Sequence, residues 1–172
     1  MGQVKIPATP AGTSLVGKTA IITGASSGLG LETARQYLLL GVARVIITAR
    51  TAQKGQEAIN TLRADAKVAK INPDADIDAY ELELEDYSSV VRFCQRVKTE
   101  VPQLHVLLNN AGMSTLSYQK TKDGHERTYQ GATPSPLSRS LPTPSHPVSI
   151  PSPNHSPISP RHPVPLLTPH TT

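Results

Sequence analysis

The stretch that most constrains this chain is Thr23-Gly24-Ala25-Ser26-Ser27-Gly28-Leu29-Gly30. It follows an apolar, β-branched run (Thr19, Ala20, Ile21, Ile22) and precedes a segment with helical periodicity. Strand, glycine-rich turn, helix is the context in which such a motif can hold a phosphate. Gly24 can leave the strand sharply because it has no Cβ to oppose the turn. Gly28 lets the backbone approach a pyrophosphate, and Gly30 lets the helix pack closely on the sheet. The N–H groups of the helix's first turn and the positive end of its dipole then face the phosphates. Taken alone, the pattern fits an ordinary strand-to-helix turn equally well, so the rest of the chain has to discriminate.

Downstream, the pattern repeats. The first strand is expected over residues 18–23 and a helix over 28–40, with Leu29, Thr33, Tyr37 and Leu40 at helical spacing, Ala34 and Leu38 beside them, and Gly41 closing it. Residues 43–49 are nearly all apolar on both faces, as in a parallel strand covered on both sides. Thr51 can cap a second helix in which Ala58, Leu62, Ala66 and Ala69 repeat, broken at Asn72-Pro73-Asp74. Residues 77–84 alternate and suggest a third strand at a sheet edge. Ser88 or Asp86 can cap the next helix, whose stripe is Val90, Val91, Cys94, Val97 and Val101, and Pro102 ends it. A short strand over 104–108 runs into Asn109-Asn110-Ala111-Gly112. Four strand–helix repeats with short connections predict an α/β fold, a Rossmann-type doubly wound parallel sheet of about four strands.

Composition narrows the function classes. The net charge is +4, with basic residues scattered among acids, and six aromatic residues include no Trp. Neither a nucleic-acid footprint nor a base-stacking platform is indicated. The single cysteine, Cys94, cannot form an internal disulfide and reads as core packing. No signal region or membrane-length apolar run is visible, so the expectation is a soluble, cytoplasmic protein. Met1-Gly2 opens like a myristoylation site, but Ile6 stands where Ser or Thr is needed.

Gly24, Gly28 and Gly30 are spaced three residues, then one, unlike the commoner dinucleotide fingerprint of one, then two. Here the chain resembles the short-chain dehydrogenase/reductase family, whose signature is Thr-Gly-x-x-x-Gly-x-Gly. Asn109-Asn110-Ala111-Gly112, beginning 79 residues after Gly30, supplies a second family motif at the end of the fourth strand. The resemblance covers about residues 15–130. It implies that Ser26, Ser27 and Leu29 belong to the phosphate-binding turn with the three glycines, and that Asn109, Asn110, Ala111 and Gly112 line the cofactor and hold the central strand. Glu83 stands where relatives place an Asp that contacts the adenine amino group, one methylene longer here. An acid after the second strand would read the ribose hydroxyls of NAD. This chain instead has Ala49 and Arg50, and a guanidinium suits a 2′-phosphate, so NADP is the expected cofactor. No metal site is expected.

The resemblance further implies an oxidoreductase interconverting a carbonyl and an alcohol on a small organic substrate, through a Tyr, a Lys four residues on, a Ser and an Asn beyond residue 112. No catalytic residue is assigned. Tyr118 and Lys122 have the Tyr-x-x-x-Lys spacing, but they follow Gly112 by only six residues for the Tyr, with no Ser-bearing strand before them, and are rejected as a catalytic pair. Similarity stops at Gln130. From 131 to 172, 12 of 42 residues are Pro and 8 are Ser, with no Asp, Glu, Lys or aromatic residue. Such a segment cannot offset about 1–2 kcal/mol per residue of backbone ordering, so a disordered tail is expected. The expected organisation is a flexible lead-in (1–14), a partial Rossmann-type domain (15–130) and this tail (131–172). The switch reads as truncation, and the chain is expected to be catalytically incomplete. The alternative is a non-catalytic interaction protein that pairs with a full-length relative, as a homo- or hetero-oligomer.

Overall fold

The structure, a computed structural model, describes residues 9–113 and 115–132. The lead-in over 1–8 and the tail from 133 onward lie outside the described residues. Strand β1 (Thr19–Ile22), helix α1 (Gly28–Leu39), strand β2 (Arg44–Ala49), helices α2 (Ala52–Ala64) and α3 (Ala66–Ile71), strand β3 (Asp76–Glu81), helix α4 (Tyr87–Glu100), strand β4 (Val106–Leu108) and helix α5 (Arg127–Ala132) follow in order. The strands form one parallel sheet in the order β3-β2-β1-β4. The Rossmann-type expectation holds, and β3 lies at an edge as its alternation suggests.

The pleat divides the core between two faces. Ala20, Ile22, Val45 and Ile47 point toward α1, α2 and α3, while Ile21, Ile46 and Tyr80 meet Val90, Phe93, Cys94 and Val97 of α4. Ile21, Ile22, Ile46 and Ile47 are wholly buried, each contributing about 1.5–3 kcal/mol. That two-sided burial is why β2 reads as a nearly continuous apolar run.

Four details differ from the periodicity reading. In α1 the buried face is Gly30, Ala34 and Leu38, whereas Leu29 is 82 % exposed, because the buried stripe runs through Gly30 and turns Leu29 away from the sheet. The second helix is two: Asp65 leaves the helical region (φ −67°, ψ 117°), and its carboxylate accepts hydrogen bonds from the Lys67 and Val68 N–H groups at 2.8 and 3.0 Å. That new cap turns Val68 inward and leaves Ala66 and Ala69 exposed. In α4, Phe93 takes the core position expected of Val91, which is 54 % exposed. Finally, β3 ends at Glu81 and β4 begins at Val106, so Leu82, Leu84 and Leu104 are buried or half-buried loop residues. Asp86, rather than Ser88, caps α4, and Thr51 caps α2 as read. Helix α5 runs through Ala132, two residues past the compositional change. No helix among the described residues is long and apolar enough to cross a membrane.

Candidate functional site

Because the strands are all parallel, their C-terminal ends share one rim, where open α/β sheets bind ligands. A cleft of about 490 Å³ opens there. Its walls are Gly24, Ser26 and Ser27 after β1, Thr48, Ala49 and Arg50 at the end of β2, Leu82 to Glu85 after β3, and Asn110 to Met113 after β4, with Gly131 of α5. The rim thus gathers most of the predicted residues. Gly28, Leu29, Gly30 and Asn109 do not line the cleft.

The glycine turn is built by its neighbours. Gly24 has φ +63°, and a Cβ there would stand 2.9 Å from both Cα and Cβ of Ala111. Its N–H donates to Thr48 Oγ1 at 3.0 Å, and the Ala25 N–H donates to the Thr48 carbonyl at 3.0 Å. On the other side, Thr23 Oγ1 accepts from the N–H groups of Asn110 and Ala111, each at 3.0 Å. The Asn110 amide donates back to the Thr23 and Gly24 carbonyls at 3.0 and 3.2 Å. The Asn110 amide N–H groups therefore tie the β4 loop to the turn. Gly30 makes this clasp possible: a Cβ there would lie 2.5 Å from Asn110 Nδ2 and 2.7 Å from the Gly24 carbonyl oxygen.

Gly28 is different. It also has positive φ, at +58°, yet no heavy atom lies within 4 Å of where its Cβ would be. Glycine here keeps space open in front of the first turn of α1. Ser27, the N-cap, makes no side-chain capping bond, so the first-turn N–H groups retain their capacity for an anion.

At the far end of the cleft Arg50 is exposed, and no hydrogen bond or ion pair engages its guanidinium among the described residues. Glu83 is partly buried, and its Oε1 accepts from the Glu85 N–H at 3.1 Å. Glu85 in turn receives Arg127 Nε at 2.7 Å, which fastens the start of α5 to the cleft wall. Gln130, buried, adds a bond from its amide to the Leu84 carbonyl at 3.3 Å.

Tyr118 is 71 % exposed. Lys122 Nζ lies 2.7 Å from Asp86 Oδ2, and this bond holds the Asp86 carboxyl below its ordinary value. A lysine committed to a carboxylate on another loop has no part in activating Tyr118. Among the described residues no group of His, Cys, Asp and Glu could hold a metal ion. Thr48 is the site residue that periodicity missed. Its signal was a hydroxyl, 2 % exposed, in an otherwise apolar strand two residues before Arg50.

Comparison with known proteins agrees with this geometry. The family model described as short chain dehydrogenase matches residues 18–131. Short chain dehydrogenase sor7 of Hypocrea jecorina is 50% identical over 130 residues, covering 76% of this chain and 36% of its own. Human retinol dehydrogenase 14 is 42% identical over 120 residues, covering 66% of this chain and 35% of its own. The chain thus spans about a third of the length of these relatives. A metagenomic short-chain oxidoreductase crystallised with NADP superposes with a TM-score of 0.57 at 25% identity, covering 74% of this chain and 56% of that one. The match runs from the residue before β1 into α5 and so takes in the glycine turn, Arg50 and the Asn109–Gly112 loop together: this chain belongs to the short-chain dehydrogenase/reductase family.

Proposed function

We propose that residues 15–130 are the NADP(H)-binding part of an oxidoreductase that interconverts a carbonyl and an alcohol on a small organic substrate, and that the 172-residue chain binds the cofactor without turning over. The carrying observation is the open space at Gly28. A left-handed glycine with nothing in front of it, beside an α1 N-terminus free of side-chain caps, fits a pyrophosphate. Gly112, likewise with nothing within 4 Å of its Cβ position, leaves room for a ribose to pass.

The residues divide the work along the cleft. Gly24, Ser26, Ser27, Gly28, Leu29 and Gly30 form the pyrophosphate turn, with Gly24 and Gly30 setting its shape. Glu83 offers its carboxylate to the adenine amino group while Oε1 keeps its bond from the Glu85 N–H. Asn110 holds the loop on which Ala111 and Gly112 pass under the ribose. Arg50, with no partner to give up among the described residues, reads a 2′-phosphate by charge-assisted bonds. When bound, the cofactor supplies or accepts the hydride. Apart from Tyr118 and Lys122, no Tyr-x-x-x-Lys stands in the sequence, and Lys122 is spent on Asp86.

Thermal unfolding of the 172-residue chain with each nucleotide tests this. A ligand at a hundred times its Kd stabilises by about 2.7 kcal/mol. NADP⁺ should raise the melting temperature at concentrations where NAD⁺ does not, and Arg50→Ala should narrow the difference. Equal protection by both would refute the NADP preference, and protection by neither would refute cofactor binding. Consumption of NADPH with any carbonyl would refute the absence of turnover.

A further inference from the structure

A second cleft of about 300 Å³ lies against the first, on the α4 side of the β3 edge. Arg50 and Glu83 line both. Three cations face the second cleft, and they are not equivalent. Arg96 is committed: its Nε lies 3.0 Å from Glu100 Oε1, and its guanidinium carbon stands 3.8 Å over the Tyr80 ring. Arg50 and Arg92 make no hydrogen bond or ion pair among the described residues.

The acids of the cleft are held on backbone or on a cation elsewhere. Glu81 Oε1 accepts from the Ala52 N–H at 2.7 Å, Glu83 Oε1 from the Glu85 N–H at 3.1 Å, and Asp86 takes Lys122 at 2.7 Å and the Ser88 N–H at 2.8 Å. The lining therefore offers two uncommitted guanidiniums beside carboxylate acceptors. An inorganic anion would meet those carboxylates as repulsion. A ligand that carries a phosphate and, on the same rigid frame, a neutral N–H donor for a carboxylate oxygen would use both, and adenosine 2′-phosphate, with its exocyclic amino group, is such a ligand.

We propose that Arg92 of α4 is a second 2′-phosphate-binding residue, acting with Arg50 across this cleft. The inference rests on the cofactor reading above and deepens it. A phosphomonoester near neutral pH carries close to two charges, more than one guanidinium neutralises. Two planar forks from different elements would discriminate it from a hydroxyl more sharply than one.

The test is isothermal titration of the 172-residue chain and its Arg92→Gln and Arg92→Lys variants with NADP⁺, NAD⁺ and inorganic phosphate. Arg92 is exposed, so unliganded melting should be unchanged, which checks the fold. Arg92→Gln should weaken NADP⁺ about tenfold, as expected for one charged hydrogen bond, and leave NAD⁺ within twofold. Arg92→Lys should fall between. Unchanged NADP⁺ binding, or equal loss for both nucleotides, overturns the inference. So does Arg92-dependent binding of inorganic phosphate with NADP⁺ unaffected. If the parent chain binds neither nucleotide, the cofactor reading fails and takes this inference with it; unchanged selectivity in Arg92→Gln sinks this inference alone.

Discussion

Replacing Gly30 by alanine probes whether the turn is held by the clasp to the β4 loop. The added Cβ would stand 2.5 Å from Asn110 Nδ2, 2.7 Å from the Gly24 carbonyl oxygen and 2.8 Å from Ala25 Cα. The Asn110 amide can swing aside, but only by losing its bonds to the Thr23 and Gly24 carbonyls. The other two atoms are backbone in the buried β1–α1 turn and have no such freedom. Overpacking costs about 1–3 kcal/mol, and the two Asn110 bonds about 0.5–1.5 kcal/mol each. Alanine returns about 1 kcal/mol in helix propensity. The net loss is about 1–5 kcal/mol, centred near 3, which moves a urea midpoint down by about 2 M for a slope near 1.5 kcal/mol/M. Gly28→Ala is the control. It also has positive φ but open space around it, so it should cost about 1–2 kcal/mol while placing a methyl group where the phosphates would lie. Gly30→Ala should therefore be the less stable variant, and Gly28→Ala should lose nucleotide binding out of proportion to its stability. Stability of Gly30→Ala within about 0.5 kcal/mol of the parent would show that the clasp does not depend on that close approach.

Thr23→Val should destabilise by about 2–4 kcal/mol, because two N–H groups, of Asn110 and Ala111, lose the buried hydroxyl they share. Thr23→Ser should recover most of it in the same urea denaturation. Acid should loosen residues 115–130 before the sheet. The carboxyls of Asp86, Asp123 and Glu126 are all held below their ordinary values of 3.8, 3.8 and 4.5, chiefly by Lys122, the Tyr87 N–H and the Thr128 N–H respectively. Groups with depressed values stabilise above their unfolded values and lose that contribution as pH falls below them. Amide exchange in this segment should therefore accelerate below about pH 4 while β1 and β2 stay protected; loss of both together would contradict it. Arg50→Ala should leave urea stability within about 0.5 kcal/mol, since its side chain is exposed and has no hydrogen bond or ion pair among the described residues.

How much of this could be read from residues alone depends on the range of the interaction. The glycine turn, the strands and the caps at Thr51 and Asp86 are written in contiguous sequence, because strand, turn and cap geometry are set within a few residues. The Asp65 break was missed because an interior Asp resembles any exposed helical residue until its carboxylate turns to the Lys67 and Val68 N–H groups. Val91 was placed in the core instead of Phe93 because only the position of β3 decides which side of α4 faces inward. In the site, Gly24, Arg50, Glu83 and Gly112 were legible by motif. Thr48, the Thr23–Asn110 clasp and the Arg127–Glu85 tie were not, since they join residues 24, 87 and 42 positions apart.

The central claim is that the rim of the parallel sheet, from the glycine turn to Arg50 and Glu83, holds a phosphorylated dinucleotide. The most direct measurement is an amide chemical-shift titration of the ¹⁵N-labelled 172-residue chain with NADP⁺. Saturable shifts are expected at Gly24 to Gly30, Arg50, Glu83, Leu84 and Asn110 to Gly112, with α3 and the C-terminal end of α4 unmoved. Shifts confined to α3 or the end of α4, or none at millimolar nucleotide, would contradict it.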